Sequence, residues 1–315
     1  MPSKSQIESG IAILSEIEDK LNGSNSTFAT FESLSSRFYT AIPHSFGRKR
    51  PPVIQDKDAL QSRFDMCNIL LDMFDTNEAM KRIESEQKKQ AKEAKKVPNP
   101  ADQHYGTLNA DLKLVDPSSD EFAKIKQYFE ATKRPGSNAH LFDVWSVNRH
   151  GKAERFAEYK NTGNRQLLWH GTNIAVVAPI ITSGLRIMPH SGGRVGAGIY
   201  LANLQQKSAS YTSGYDAPFK CMFLVEEPLG KQHIVDKDGP HASGLRAAPE
   251  GFDSVRAIGT LQPKTFTTME IDGKEVSLPS SPPEESGVQS TFAHDEMLVY
   301  NEDQVRLLFV VTVRL

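Results

Sequence analysis

The sequence has almost no cysteine: Cys67 and Cys221 are the only two in 315 residues, and they lie far apart. That excludes a disulfide framework and a cysteine-rich zinc site, and it points to a reducing, intracellular compartment. Long apolar runs are missing too. No stretch approaches the ~18 consecutive apolar residues of a membrane span. The start, Met1-Pro2-Ser3-Lys4, lacks the apolar core of a signal peptide. A soluble intracellular protein with no membrane partner is expected. Nor is there an excess of one charge. The 37 basic and 39 acidic residues leave a formal net charge of −2, so no global field argues for nucleic acid. The length, in contrast, suffices for two domains and a sizeable core.

Common site motifs are absent as well. Gly192 to Gly198 is glycine-rich, but it fits neither the phosphate-loop spacing nor that of a dinucleotide-binding turn. There is no H-E-x-x-H, and His233 and His241 lack thiol or carboxylate neighbours at ligand spacing, so no metal is expected. Ser208 sits in no G-x-S-x-G elbow.

What is present divides the chain in two. Residues 5–22 read as a helix through Ile7, Ile11, Leu14, Ile17 and Leu21, with Gly23 as the stop. Phe31 to Ala41 is a second helical pattern, ended by Pro43. Asp56 to Ile83 is the strongest, with Leu60, Phe64, Cys67, Leu71 and Phe74 as its apolar stripe. A separate stripe of Asp65, Asn68, Asp72 and Asp75 reads as a solvated face. Residues 84–100, lysine-rich and ending in Pro98-Asn99-Pro100, form a linker or a long exposed helix end.

Beyond Pro100 the pattern turns to short β-rich runs: 112–115, 141–147, 221–225, 297–300 and 307–313, with a helix at Asp120 to Thr132. Loops such as Leu278 to Gly287 separate them. The helices are too few and irregular for a βαβ array. The expected class is α+β: an all-α bundle over residues 1–100, then a mostly antiparallel β-rich domain over 101–315.

Within the second half, Leu167 to Tyr211 gathers an imidazole, glycine backbone, hydroxyls and tyrosine rings within about 40 residues, the composition of a small-molecule site. His170, taken alone, reads as a structural histidine. Glu296 opens an otherwise apolar strand, where a carboxylate is costly unless it faces a cleft. A carboxylate there suits a reaction through a sugar oxocarbenium ion.

At these residues the sequence resembles the catalytic region of the poly(ADP-ribose) polymerase family, closest to its DNA-damage-responsive members. The likeness is carried in the helical part by Ser36-Arg37-Phe38-Tyr39-Thr40, Ile42-Pro43-His44 and Leu70-Leu71-Asp72. In the second part it is carried by Leu167-Leu168-Trp169-His170-Gly171, Ser183 to Ile187, Gly198-Ile199-Tyr200, Lys207-Ser208-Ala209 and Glu296. It implies a regulatory helical domain, lacking its first helix, before an ADP-ribosyltransferase domain. It further implies a catalytic triad of His170, Tyr200 and Glu296, with NAD+ as a consumed substrate. His170 would hold a ribose hydroxyl of NAD+, while Gly171 and Ser208 would bind the carboxamide. Tyr200 and Tyr211 would stack on nicotinamide, Thr172 and Arg186 would face adenosine, and Lys207 would lie near the nicotinamide ribose. Glu296 would stabilise the oxocarbenium-like transition state and activate the acceptor. Met188 to Ala197 corresponds to the loop over the donor site. Asp65, Asn68 and Asp72 occupy the helix face that lies over the NAD+ pocket, making the helical domain an autoinhibitory lid. The implied partners are acceptor proteins including the chain itself, in the nucleus if the source is eukaryotic. DNA-break sensing would come through regions this chain does not contain. Two positions depart from the family: Asp295 replaces its asparagine and His294 its aromatic, both expected on the acceptor side, where they bear on chain elongation.

Overall fold

Ser3 opens the first helix, α1 (Lys4–Asn22), with a reciprocal cap: its hydroxyl accepts the Gln6 N–H at 3.3 Å, and Gln6 Oε1 accepts the Ser3 N–H at 2.9 Å. The computed structural model describes residues 2–23, 27–44, 46, 50–93, 99–187, 193–212 and 219–314. The chain divides into two compact units, residues 1–97 with 188–193 and residues 98–187 with 194–315, each with its own core.

In the first unit, α2 (Phe28–Ala41) is capped by Thr27, and Asp56 caps α3 (Lys57–Glu93) by accepting the Ala59 N–H at 2.7 Å. The predicted apolar stripes are the core: Ile7, Leu14, Ile17, Phe38, Leu60, Phe64 and Cys67 are buried together. Gly10 allows the approach, because a Cβ there would stand 2.7 Å from Ile42 Cγ1. Helix α3 runs ten residues past its expected end, so residues 84–93 are a helix end rather than a linker. The polar stripe is not uniformly solvated: Asp65 is exposed, but Asn68 is buried. The side chains of Asp72 and Asp75 lie outside the described residues.

The second unit begins with α4 (Pro100–Gly106) and is built on strands. A seven-stranded sheet has the order β1-β2-β14-β5-β3-β10-β9. Its members are β1 (Ala110–Leu114), β2 (His140–Arg149), β3 (Arg165–Gly171), β5 (Lys220–Pro228), β9 (Phe266–Ile271), β10 (Lys274–Pro279) and β14 (Arg306–Arg314). A four-stranded sheet runs β4 (Ile199–Leu201), β13 (Glu296–Val299), β7 (Ser254–Ala257), β6 (Gln232–Val235). A small third sheet joins β11 (Pro283–Glu285), β8 (Gly259–Pro263) and β12 (Phe292–His294). Three pairings, β3 with β10, β6 with β7 and β8 with β12, are parallel and the others antiparallel, so the core is mostly antiparallel as the sequence indicates.

Four short helices and α5 complete the unit. Helix α5 (Asp120–Thr132) covers the large sheet with Phe122, Ile125, Tyr128 and Phe129. The Tyr128 ring lies 5.1 Å from that of Trp169. The others are α6 (Lys152–Phe156), α7 (Val177–Ser183), α8 (Gln205–Ala209) and α9 (Pro240–Ser243). Strands β6 to β12 carried no clear sequence signal. In β9 only Met269 is buried, and β11, inside the stretch read as a loop, starts at a proline on a sheet edge.

A backbone bridge joins the two larger sheets beside the candidate site. Trp169 on β3 bridges Ala202 just after β4, with N–H···O distances of 2.7 and 3.0 Å. The bridge brings the end of β3, the end of β4 and the start of α8 to one point.

Candidate active site

The residue after the Trp169 bridge but one is Gly171, and its backbone is the first feature of the site. Backbone groups alternate sides along a strand. Trp169 spends both its N–H and its C=O on Ala202, so those of Gly171 point the same way, beyond the end of β4. Among the described residues no strand neighbour takes them. A side chain at this position is impossible without rearrangement, because a Cβ would stand 1.8 Å from the Ser208 carbonyl oxygen. A donor and an acceptor thus lie side by side on an accessible glycine, beside Ser208. The Ser208 hydroxyl is buried and donates to the Trp169 carbonyl at 3.0 Å.

His170 is held by its ring. Its Nδ1 lies 3.0 Å from the Tyr200 carbonyl oxygen, an acceptor only, so Nδ1 carries the hydrogen. Burial lowers the imidazole pKa, and the Tyr200 bond offsets this only in part. The ring is therefore neutral near pH 7, leaving Nε2 as an acceptor for a hydroxyl.

Tyr200 is pinned at its far end. Its hydroxyl donates to the Gly196 carbonyl at 2.8 Å and accepts the Val195 N–H at 3.0 Å, which fixes the ring while burial raises the phenol pKa. Tyr300 braces the same turn by donating to the Val195 carbonyl at 2.9 Å. Gly196, at φ +93°, needs its glycine. Met188 to Gly192 of the expected donor-site loop lie outside the described residues.

Glu296 begins β13 directly beside β4, where Leu298 pairs with Tyr200. It is 6% exposed, and its Oε1 lies 2.8 Å from Lys207 Nζ. Lys207 also donates to the Tyr211 hydroxyl at 3.2 Å and stands 5.3 Å from the centre of that ring, which is itself exposed. Burial alone would lower the ammonium pKa, but the Glu296 charge, the bond to it and Tyr211 outweigh burial and hold it above the usual lysine range. The carboxylate is thus paired and nearly, but not fully, buried.

The structure thus links His170, Gly171, Tyr200, Lys207, Ser208, Tyr211 and Glu296 through direct contacts and strand pairing. Thr172 follows Gly171 and is half-buried. Arg186 is exposed on the segment after α7, which is tied down where Glu302 Oε1 accepts the Ile187 N–H at 2.8 Å.

The acceptor-side expectation for Asp295 is corrected. Asp295 is fully buried; its carboxylate accepts from Arg256 Nη2 at 2.6 Å, Gly259 N at 2.8 Å and Asn203 Nδ2 at 3.1 Å. A carboxylate so enclosed presents nothing to an acceptor. His294 is half-buried, with Nε2 3.0 Å from the Gln206 side-chain nitrogen. Burial and the Lys207 charge lower its pKa, so it is neutral and accepts the amide N–H. Asn203, Arg256, Gln206 and Gly259 were not anticipated. Their partners are distant in sequence, and only Asn203, between a strand and a helix, carries a local hint of a cap.

Comparison with known proteins identifies the family of the chain. The pattern of the poly(ADP-ribose) polymerase catalytic domain matches residues 119–315, and that of the family's regulatory domain matches residues 2–105. "Protein mono-ADP-ribosyltransferase PARP3" of Homo sapiens is 42% identical over 327 residues, covering 99% of this chain and 58% of that protein. The protein of the same name from Mus musculus is 40% identical over 322 residues, with 99% and 59% covered. "Poly [ADP-ribose] polymerase 1" of Gallus gallus is 33% identical over 322 residues, with 99% and 30% covered. The chain therefore spans little more than half the length of the first two relatives. With both domain patterns matched in order, the chain belongs to the poly(ADP-ribose) polymerase family.

Proposed function

We propose that this chain transfers ADP-ribose from NAD+ to protein acceptors, itself among them, with release of nicotinamide. The observation that carries the reading is the buried Glu296–Lys207 pair at 2.8 Å, on the strand beside Tyr200 and near the unused backbone groups of Gly171. Gly171 N–H and C=O match the acceptor and donor of a carboxamide, and Ser208 adds a hydroxyl. Tyr200 and Tyr211 offer ring faces to nicotinamide. Neutral His170 accepts a ribose hydroxyl. Thr172 and Arg186 serve the adenosine side.

The chemistry follows from the charges. As the bond between the ribose carbon and nicotinamide nitrogen breaks, its electron pair leaves with the nitrogen and positive charge grows on the sugar. Glu296 stabilises that charge. An acceptor oxygen, oriented by Glu296, then bonds to the same carbon and gives its proton to the Glu296 carboxylate.

The helical region, residues 1–100, is read as an autoinhibitory lid whose loosening admits NAD+, an order–disorder form of control. Its support is the regulatory-domain match and an independent core. A nuclear role in the DNA-damage response belongs to the same reading.

Labelled NAD+ tests it. Label on the protein as a ladder means polymer formation, and one discrete band means single transfer; both support the proposal. Nicotinamide release with free ADP-ribose and unlabelled protein would replace it with glycohydrolysis. No release, even after removal of the helical region, would leave a binding scaffold.

A further inference from the structure

We propose that Asp295 is a positioning residue for the glutamate beside it, its buried carboxylate pairing with the half-buried Arg256 to hold Glu296 and Lys207 in register. The inference rests on the transferase reading, since Glu296 is where its consequence is felt.

Asp295 touches three separate parts of the fold. Arg256 lies on β7, whose next residue, Ala257, pairs with Glu296. Gly259 opens β8, and a Cβ there would fall 2.3 Å from the His294 carbonyl carbon and 2.6 Å from the Asp295 nitrogen, so residues 294 and 295 rest directly on this glycine. Asn203 precedes Leu204, the N-cap of the helix that carries Lys207. One carboxylate therefore ties the start of β13, the end of β7 and the approach to α8 together. Asp295 is the single residue between β12 and β13, so anchoring its side chain fixes the backbone from which Glu296 enters its strand.

The pairing chemistry demands a charge. Both Asp295 oxygens are met only by donors: Gly259 N–H on Oδ1, Arg256 and Asn203 on Oδ2. Arg256 also donates to Gln262 Oε1 at 3.0 Å, and Gln262 returns a bond to the Gly259 carbonyl at 2.8 Å, closing a ring around the carboxylate. An amide at position 295 keeps one acceptor oxygen, so in one orientation its N–H groups face the Gly259 N–H and in the other the Arg256 guanidinium. Asn203 can turn to accept one of them; Gly259 and Arg256 cannot.

The experiment compares wild type with Asp295→Asn, Arg256→Met, Arg256→Lys and the Asp295→Asn/Arg256→Met double variant, with thermal unfolding as the control for folding. Two readouts are taken. Nicotinamide release is expected to fall 10- to 100-fold in kcat for Asp295→Asn and Arg256→Met. The KM for NAD+ should stay within twofold, the double variant should be no worse than either single one, and Arg256→Lys should recover much of the rate. Independently, the titration of Lys207, followed by NMR on labelled lysine and assigned with Lys207→Arg, is expected to drop toward the ordinary lysine range in Asp295→Asn. Unchanged kcat together with an unchanged Lys207 titration would overturn the inference, as would losses that only track the fraction unfolded. If wild type binds NAD+ but releases no nicotinamide, the transferase reading fails, and the Lys207 titration alone still decides whether Asp295 sets the pair.

Discussion

Lys207 Nζ stands 2.8 Å from Glu296 Oε1, and the two come from elements that share no backbone pairing: a five-residue helix and the first residue of a strand. The cation keeps a nearly buried carboxylate in place beside the site. Lys207→Met removes the counter-charge without removing the helix. Because the lysine side chain is 21% exposed, the stability loss should stay below the ~3–5 kcal/mol of a fully buried broken pair. The rate of nicotinamide release should fall at least tenfold, and Lys207→Arg should restore part of it. Steady-state kinetics on both variants checks this.

Gly171→Ala is expected to be far more damaging than its size suggests. Its Cβ would stand 1.8 Å from a backbone oxygen that cannot turn aside, and it would also crowd the free amide edge. Overpacking of this kind costs typically ~1–3 kcal/mol. Calorimetry should show a lowered Tm and no measurable NAD+ binding in the folded fraction. Normal binding would mean that the carboxamide is held elsewhere.

Tyr200→Phe separates the ring from its anchor. The ring face remains, but the hydroxyl bonds to Val195 and Gly196 are lost. At ~0.5–1.5 kcal/mol for each typical bond, stability should drop by about 1–3 kcal/mol. The KM for NAD+ should rise more than kcat falls, because the turn beside the site loosens while Glu296 is untouched.

Glu227 offers a pH test outside the site. Both its oxygens are buried without a hydrogen-bond partner, and burial raises its pKa well above the ordinary 4.5, opposed only in part by Lys152 and Arg165. Between the unfolded and the folded pKa, the folded chain holds a proton that the unfolded chain has lost. Stability therefore falls as pH rises through that window, by up to ~1.4 kcal/mol per pH unit. Below pH 4.5 the effect vanishes. Glu227→Gln should flatten this slope in denaturant unfolding measured between pH 5 and 8. Parallel curves for the two proteins would show that Glu227 does not titrate as described.

The elements legible in the sequence were those with a strong apolar period. The α1 and α3 stripes and the runs in β5 and β14 bury most of the residues that their spacing singles out, whereas β2 buries Val144 and Val147 and leaves Phe142 and Trp145 exposed. Strands β6 to β12 were hidden because their neighbours, not their own composition, make them strands. The site divides the same way. His170, Gly171, Tyr200, Ser208 and Glu296 lie in compact motifs that could be read directly. What holds them could not: the Asp295–Arg256 pair spans 39 residues and the Lys207–Glu296 pair 89. Asp295 shows the limit most clearly, since its place beside Glu296 in sequence suggested a shared surface, and its burial against Arg256, Gly259 and Asn203 denies it that.

The central claim is that Glu296 carries the chemistry rather than the binding of NAD+. The most direct measurement is nicotinamide release by wild type and Glu296→Gln, taken with the Kd for NAD+ of each by calorimetry. The expected result is a loss of at least 10²-fold in the release rate, with Kd changed less than threefold. Release at the wild-type rate, or a rate lost only in proportion to weakened NAD+ binding, would contradict the account.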